Sequence, residues 1–449
     1  MKVTVIGFWV EGEDMARYFA DHGAQVTVST LRVPDSRRAA QEELTARGVR
    51  FYIGSNEPQH VAGADLVCVS QGVALSIPAV VAAREAGIPV RSMTSLFLES
   101  YPGPIVGITG SSGKTTTTSL VDAMFSAAGR DHVLGGNIGR GLLALLDDAS
   151  ASRPAILEIS HTQLQLTERS PKIACLTNVT PNHLDQFPWE DYVALKRKIF
   201  EFQTPADAVV FNADDPVSRE LCPQARGRVF LSSLGGDHGT RGAYLHDGTI
   251  FMRRDGLAEA AVSVSDVPLR GRHNLANVAA ATAVAAACDI APDAVARAVR
   301  AFKAPPHRLE LVGKVRGVSY YNDSIATAPE RTLAALRSFE EPIVLLLGGR
   351  DKNLPLRAML DEAKRACRAV VCFGEAGPLF ADAAQTAGLD VTRASTVAEA
   401  VAAAAKLGQP GDVVLLAPAG TSFDAYDNFE QRGDEFRRLV KQMSKEAGQ

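Results

Sequence analysis

The sequence predicts an α/β fold of parallel sheets covered by helices, divided into three domains. Short apolar runs alternate with helical stretches along all 449 residues, which is the pattern of strands that pair in parallel. A chain of this length is expected to hold two to four domains. Two segments rich in Pro and Gly or Ala, Tyr101–Pro104 and Lys303–Pro306, separate the pattern into three blocks.

The first block, residues 1–99, has the strand and helix order of a Rossmann-like domain. Helices are expected from Gly7 to about His22 and from about Ile77. Strands are expected at Val3–Ile6, Gln25–Ser29, Arg50–Ile53, Leu66–Ser70 and Pro89–Ser92.

The segment Gly7–Gly12 (GFWVEG) is a weak version of the dinucleotide motif GxGxxG. Trp9 occupies the place of the middle glycine, and a bulky side chain there hinders the backbone from approaching a pyrophosphate. The segment therefore supports the fold but gives little support for a dinucleotide.

The second block, residues 100–303, is expected to be a mixed sheet around a phosphate-binding loop. Its β-rich stretch, about residues 228–267, is expected to form a small sheet, followed by an Ala-rich helix at Ala276–Ala287. The other strands are expected at Ile105–Thr109, Ala155–Ile159, Ile173–Asn178 and Ala208–Asn212.

The third block, residues 304–449, again alternates strands with Ala-rich helices, such as Val397–Ala405. Its strands are expected at Val318–Asn322, Ile343–Leu347, Ala369–Cys372 and Val413–Leu416.

The loop that follows the strand Ile105–Thr109 has the character of a nucleotide phosphate site. Its glycines let backbone N–H groups converge on phosphate oxygens, and the helix that begins at Lys114 adds a favourable dipole. Lys114 would reach the terminal phosphates, and the Thr115 hydroxyl would ligate Mg²⁺. The strict pattern GxxxxGK(S/T) fails, because Ile108 stands where the first glycine belongs. The strand, loop and helix context still predicts ATP.

Composition excludes several other classes of function. The formal net charge of −4 offers no basic face for nucleic acid. The six cysteines are scattered without zinc spacing, which indicates buried thiols in a reducing compartment. No signal peptide and no membrane span are recognisable, so we expect a cytoplasmic protein with no membrane insertion.

Several motifs together resemble the Mur ligases, and within that family the branch that uses D-glutamate. They occur in the family's order across nearly the whole chain. They are Thr109–Thr116 (TGSSGKTT), Gly136–Gly139 (GNIG), Asn178–Asp185 (NVTPNHLD), Gly271–Asn277 (GRHNLAN), Pro306–Glu310 (PHRLE), Asn322–Ser324 (NDS) and Asn428–Gly433 (NFEQRG).

The resemblance implies an ATP-dependent acid–amino-acid ligase of peptidoglycan precursor synthesis. Residues 1–99 would bind a UDP-linked muramoyl-alanine, residues 100–303 would bind ATP, and residues 304–449 would be a Rossmann-like domain for glutamate. ATP would convert the substrate carboxylate into an acyl phosphate, which the amine of glutamate attacks. The partners would be small molecules only, and the chain is expected to be a monomer.

The resemblance also implies the residues around ATP and its metal. Glu158 ends one apolar strand and His183 follows another, and both strand ends would face the same crevice, where a carboxylate and an imidazole could hold Mg²⁺. Lys196 would be carbamylated and become an anionic metal ligand. Asn137 and His183 would act on the acyl phosphate. ATP itself would contact Gly110, Ser111, Ser112, Gly113, Lys114, Thr115, Thr116, Asn274, Asn277, Arg308 and Asp323.

Substrate contacts are implied in the first and last domains. Ser70, Gly72 and Asn137 would face the UDP-linked substrate. His161 is either a further substrate contact or a hydrogen-bonded histidine beside the site. Thr327, Lys352, Ser422 and Phe429 would hold glutamate, with Lys352 as the cation for a carboxylate.

Three departures from the family leave the substrate open. Ile325 replaces a common lysine, Ser29 replaces an aspartate that often contacts uridine, and His161 replaces a serine. A ligase for L-glutamate and a ligase of the folylpolyglutamate synthase type remain alternatives. A nucleotide-binding protein with an inactive ligase fold is less consistent with the joint presence of Lys114, Glu158, His183 and Lys196.

Overall fold

Three sheets flanked by helices make up the fold in the computed structural model, which describes residues 1–137, 141–147, 149–181, 186–303 and 305–447. This confirms the predicted α/β class. The described chain packs as two compact units, Met1–Asp266 with Ala276–Ala301, and Val267–Leu275 with Phe302–Gln449.

The first sheet is entirely parallel, with strand order β3-β2-β1-β4-β5. Its strands are β1 (Lys2–Ile6), β2 (Gln25–Thr30), β3 (Arg50–Ile53), β4 (Leu66–Val69) and β5 (Val90–Arg91). The helices that accompany it are α1 (Val10–Asp21), α2 (Arg38–Ala46), α3 (Pro78–Glu85) and α4 (Met93–Ser100). The strand order reverses direction between β1 and β4, and a ligand crevice is expected at such a point.

The second sheet has the strand order β14-β13-β12-β11-β10-β9-β6-β8-β7. Its strands are β6 (Ile105–Thr109), β7 (Val133–Gly136), β8 (Ala155–Glu158), β9 (Ile173–Leu176), β10 (Ala208–Asn212), β11 (Arg228–Ser233), β12 (Gly242–His246), β13 (Thr249–Arg254) and β14 (Leu257–Ser263). Its helices are α5 (Lys114–Ala127), α6 (Trp189–Glu201), α7 (Pro216–Leu221), α8 (Arg272–Ala287) and α9 (Pro292–Ala301).

The expectation of a separate small sheet at residues 228–267 is wrong. Strand β11 pairs with β10 in parallel through Ala208–Asn212, so the β-rich stretch continues the central sheet. Only the pairings of β12 with β13 and of β13 with β14 are antiparallel in this sheet of the described chain. The result is the mixed sheet that the fold class predicts.

The third sheet has the order β15-β16-β20-β17-β18-β19, and only the β15–β16 pairing among these described strands is antiparallel. Its strands are β15 (Glu310–Val315), β16 (Val318–Asn322), β17 (Ile343–Gly348), β18 (Cys367–Phe373), β19 (Val391–Arg393) and β20 (Val413–Ala419). Its helices are α10 (Pro329–Leu336), α11 (Arg357–Ala366), α12 (Gly377–Thr386), α13 (Val397–Leu407) and α14 (Phe429–Ala447).

A continuous apolar cluster runs beneath the first two sheets. It includes Val3 and Phe97 from the first part of the chain and Leu143, Leu157 and Phe211 from the second. Because neighbouring parallel strands end at the same edge, the loops after β6, β8 and β9 meet at one side of the central sheet. Among the described residues, no helix is both long and apolar enough to span a membrane.

Candidate functional site

The phosphate-type loop joins β6 directly to α5, and two of its glycines are required by geometry. Gly113 caps the helix with φ +80°, and a Cβ there would lie 2.2 Å from the Asn277 side-chain oxygen. A Cβ on Gly110 would lie 1.9 Å from the Thr177 hydroxyl. Only glycine fits these places, and the Asn277 side chain lies against the loop at Gly113.

Groups from the segment after β9 and from α6 hold the loop in shape. The Ser111 hydroxyl lies 3.0 Å from both the Thr180 carbonyl and the Tyr192 hydroxyl. The Ser112 N–H donates to the Asn178 side-chain oxygen at 3.0 Å. The loop is therefore braced by neighbouring strand and helix before any ligand binds.

Two lysines converge on the same carbonyl of this loop. Lys114 Nζ donates to Gly110 O at 2.9 Å, and Lys196 Nζ donates to it at 2.8 Å. Lys196 is 1% exposed. Its burial lowers the pKa of its ammonium well below the ordinary value, Lys114 acts in the same direction, and Glu158 opposes both.

Lys198, the neighbour that could be confused with Lys196 in sequence, has a different environment. Its ammonium donates to the Gln165 carbonyl at 2.7 Å. The ring of Tyr192, one turn before Lys196 on α6, lies 5.2 Å from Lys196 Nζ. The structure thus places Lys196, with Tyr192, at the loop.

Glu158 supplies a negative charge at the site, and Asn137 is hydrogen-bonded to it. Glu158 is 1% exposed at the end of β8, and Asn137 Nδ2 donates to its Oε1 at 3.0 Å. The other carboxylate oxygen, Oε2, is buried and accepts no hydrogen bond from the described part of the chain. A buried carboxylate oxygen with free lone pairs suits a cation.

The remaining metal prediction, His183, lies outside the described residues. Thr115 lies in the first turn of α5, half-buried. No group of three His, Cys, Asp or Glu side chains with metal-site spacing occurs within the described ranges.

The predicted substrate residues Ser70 and Gly72 line a crevice beside the reversal of the first sheet. Ser70 Oγ donates to Gly7 O at 2.9 Å, and Gly72 adopts φ +88° with open space around it. Gln71 between them reaches the central sheet, where its Nε2 donates to the Ser160 hydroxyl at 3.1 Å.

Glu11 enters the same crevice and was not predicted from the sequence. Its carboxylate accepts from the Gln71 backbone N–H at 2.9 Å and from Gln163 Nε2 at 3.3 Å. Burial raises the pKa of Glu11, although these two hydrogen bonds oppose the rise. The position of Glu11 within the weak motif Gly7–Gly12 was the signal available in the sequence.

Two of the three departures from the family pattern, His161 and Ser29, lie in this unit and have different surroundings. The His161 ring packs against Phe187 and Tyr192, with centroids 5.5 and 5.3 Å away, and is 8% exposed. Ser29 is fully buried, and its hydroxyl lies 2.9 Å from both Asn56 Oδ1 and His60 Nδ1. Ser29 therefore belongs to an internal polar cluster rather than to an exposed contact.

In the second unit, three loops follow the adjacent parallel strands β16, β20 and β17. The predicted glutamate residues Thr327, Ser422 and Lys352 lie one on each loop. Lys352 Nζ donates to the Thr327 hydroxyl at 3.3 Å. Ser422 is 2% exposed, and the carbonyl of Phe429 accepts from Ser324 Oγ at 2.8 Å.

Arg432 ties these loops together and was not predicted as a site residue. It has no exposed surface, and its guanidinium donates to Ser324 O at 2.9 Å, Thr421 O at 3.1 Å and Gly420 O at 3.2 Å. Burial lowers its pKa to about 10, so it remains charged at neutral pH. Its place in the NFEQRG motif was the only sign in the sequence.

Two of the predicted ATP contacts of this unit, Arg308 and Asp323, lie beside the start of β15. Asp323 accepts from the Leu309 N–H at 3.0 Å, and its burial raises the carboxyl pKa to about 6, while Arg308 and Arg331 oppose the rise. Asn274 Nδ2 donates to Arg270 O at 2.7 Å. Helix α8 begins at Arg272, so Asn274 and Asn277 lie inside the helix and are not its cap.

Family models for Mur ligases match all three parts of the chain. The MurD-like N-terminal domain matches residues 1–92, the middle domain matches 108–285, and the glutamate ligase domain matches 307–420. A protein of Symbiobacterium thermophilum named UDP-N-acetylmuramoylalanine–D-glutamate ligase is 37% identical over 99% of this chain and 98% of its own length.

The chain belongs to the Mur ligase family.

A further relative and two solved structures of Mur ligases are also similar to this chain. The protein of the same name from Acidobacterium capsulatum is 39% identical over 98% of this chain and 96% of its own length. Among solved structures, UDP-N-acetylmuramate–alanine ligase of Thermotoga maritima gives a TM-score of 0.60 at 18% identity, over 99% of this chain and 100% of that one. A ligase of Acinetobacter baumannii that uses D-alanyl-D-alanine gives 0.63 at 15% identity, over 98% and 93%. These structures agree with the fold alone.

Proposed function

We propose that this Mur ligase adds D-glutamate to UDP-N-acetylmuramoyl-L-alanine in peptidoglycan precursor synthesis. As a member of the family, the chain is an ATP-dependent ligase that forms an amide bond. The names of its full-length relatives support D-glutamate as the amino acid. The structural observation that most supports this chemistry is the position of Lys196, which is 1% exposed and donates a hydrogen bond from its ammonium to the Gly110 carbonyl of the phosphate-type loop.

The reaction must first make a carboxylate electrophilic. A carboxylate oxygen of the alanyl group attacks the γ-phosphorus of ATP, the bond to ADP breaks, and an acyl phosphate forms. The amine of glutamate then attacks the acyl carbon and loses a proton, and the C–O bond to phosphate breaks. The protein contributes positioning and charge neutralisation.

ATP is assigned to the loop that joins β6 and α5. The start of α5 suits phosphate oxygens, and Lys114 adds a cation. The Asn277 side chain, which lies against Gly113, is suitably placed beside the nucleotide. From the second unit, we assign Asn274, Arg308 and Asp323 to ATP on the strength of the family motifs.

The donor set beside the loop fits Mg²⁺, which would neutralise phosphate charge when bound. Glu158 presents its buried Oε2, and Thr115 presents a hydroxyl. We assign His183 to the same ion from its motif. We further propose that Lys196 is carbamylated, because an amine whose pKa is lowered by burial is available in the neutral form that reacts with CO₂.

The nucleotide-linked substrate is assigned to the crevice of Ser70 and Gly72, with Asn137 near the reacting carboxylate. His161 is placed beside this substrate rather than assigned a direct contact, because its ring packs on Phe187 and Tyr192. Glutamate is assigned to Thr327, Lys352, Ser422 and Phe429.

We also propose domain bounds of 1–99, 100–303 and 304–449, each of which contains one of the three sheets. A monomer is sufficient, since every assigned residue comes from one chain. We propose a cytoplasmic location, which agrees with an ATP-dependent reaction and with six free cysteines.

The proposal is tested by phosphate release from ATP in the presence of Mg²⁺ and UDP-N-acetylmuramoyl-L-alanine. We expect release that depends on D-glutamate and not on L-glutamate. Release with L-glutamate alone would establish the alternative ligase, and release with a folate carboxylate instead would establish the folylpolyglutamate synthase type. No release with either glutamate isomer would contradict the proposal.

A further inference from the structure

The turn after β16, Ile325–Thr327, has a cation on each side. Lys352 Nζ donates to the Thr327 hydroxyl at 3.3 Å, and Arg331 Nη1 donates to the Ile325 carbonyl at 3.2 Å. The same Ile325 carbonyl accepts from the Thr327 backbone N–H at 2.8 Å. Lys352 and Arg331 are thus both fixed to one short turn at the edge where β16, β17 and β20 end.

The guanidinium of Arg331 lies at the surface, and the buried Asp323 carboxylate is its electrostatic neighbour. The residue is exposed, and its guanidinium donates to a neutral carbonyl. By contrast, Arg350 on the loop after β17 is bonded to the Glu375 carboxylate at 2.9 and 3.1 Å, and Arg432 is fully buried among backbone carbonyls. Arg331 therefore differs from Arg350, which is paired with a carboxylate, and from Arg432, which is buried.

Glutamate brings two carboxylates to the site, and its amine must be neutral when it attacks. A cation makes a stronger hydrogen bond to a carboxylate than a neutral donor does, and Lys352 supplies one such cation as a point charge. A planar guanidinium can accept the second carboxylate with two parallel hydrogen bonds. Ile325 carries no charge at the position where the resemblance leads us to expect a lysine, and Arg331, which donates to the Ile325 carbonyl, is a cation beside that position.

We propose that Arg331 binds one carboxylate of the incoming glutamate and that Lys352 binds the other. The inference rests on the proposed function, since it takes glutamate as the nucleophile. It makes Arg331 a specificity-determining residue for a dicarboxylic amino acid.

The first experiment compares Arg331→Gln with Arg337→Gln. Arg337 follows helix α10 and pairs with Glu362 at 2.9 Å, so its replacement is a matched loss of charge outside the turn. We expect Arg331→Gln to raise the KM for glutamate about 10-fold to 100-fold, the range for a lost hydrogen bond to a charged group. The kcat should change little, Arg331→Lys should recover part of the loss, and Arg337→Gln should match the wild type.

The second experiment uses glutamate analogues that lack one carboxylate, namely 4-aminobutyrate and D-2-aminobutyrate. Truncation of the carboxylate that Arg331 binds should add no further loss in Arg331→Gln, whereas truncation of the other carboxylate should add its full loss. A KM for glutamate that changes less than about twofold, or losses that add for both analogues, would overturn the inference.

The two proposals fail in different ways. If the wild type releases phosphate with a glutamate isomer and Arg331→Gln behaves identically, only the role of Arg331 is overturned. If the wild type responds to neither isomer, the proposed function and this inference are both overturned.

Discussion

Replacement of Lys196 by alanine is expected to lower the rate of phosphate release about 100-fold to 1000-fold, the usual cost of losing a group that stabilises developing charge. Lys196 is buried, donates to Gly110 O at 2.8 Å, and interacts electrostatically with Lys114 and Glu158. If its amine is carbamylated, the variant lacks a carboxylate at the metal. Added formate or acetate should therefore restore part of the activity.

Lys198→Ala is the matched control for this experiment, because it removes a lysine from the same helix whose ammonium donates to Gln165 O instead. We expect it to retain activity. Circular dichroism should show the same helix content in both variants. A Lys196→Ala enzyme with wild-type activity would refute the assignment, and an inactive one that small carboxylates do not rescue would refute carbamylation.

Replacement of Arg432 by methionine is expected to lower the free energy of unfolding of the second unit by about 3–5 kcal/mol. Methionine is similar in length to the aliphatic part of arginine, but it lacks the guanidinium that donates to Ser324, Gly420 and Thr421. Each buried carbonyl that loses its donor keeps its desolvation cost. Because these loops adjoin Thr327 and Ser422, the KM for glutamate should also rise.

Hydrogen exchange of the amides in residues 302–447 measures this effect in the full chain. Exchange should accelerate in the three loops and in β16, β17 and β20. Arg438→Met is the control, since Arg438 is exposed on the same helix. A change of less than about 1 kcal/mol in the opening free energy would show that Arg432 does not hold the loops together.

The phosphate-type loop and the strand before it could be predicted largely from local sequence. The strand Ile105–Thr109 has the predicted bounds, because its apolar run and the glycines that follow it are local signals for a strand and a loop. Tyr192 was missed, although its spacing of four residues before Lys196 on a helix places the two side chains on one face. Strand β7 was missed because Val133–Gly136 contains two glycines, which weaken strand signals.

Features that depend on distant parts of the chain could not be predicted. The guanidinium of Arg432 bonds to residues 11, 12 and 108 positions away, and no local pattern encodes these partners. Glu11 likewise forms hydrogen bonds with Gln71 and Gln163, which lie 60 and 152 positions away. The turns of the β-rich stretch could be predicted from the sequence, but the strand with which it pairs could not. The parallel pairing of β11 with β10 depends on tertiary packing and not on local sequence.

The most direct test of the central claim follows oxygen from the substrate carboxylate. UDP-N-acetylmuramoyl-L-alanine labelled with ¹⁸O in its carboxylate is incubated with the enzyme, ATP, Mg²⁺ and D-glutamate, and the released phosphate is analysed by mass spectrometry. Activation through an acyl phosphate predicts that each phosphate carries one ¹⁸O atom from the substrate. Unlabelled phosphate released together with the amide product would contradict it.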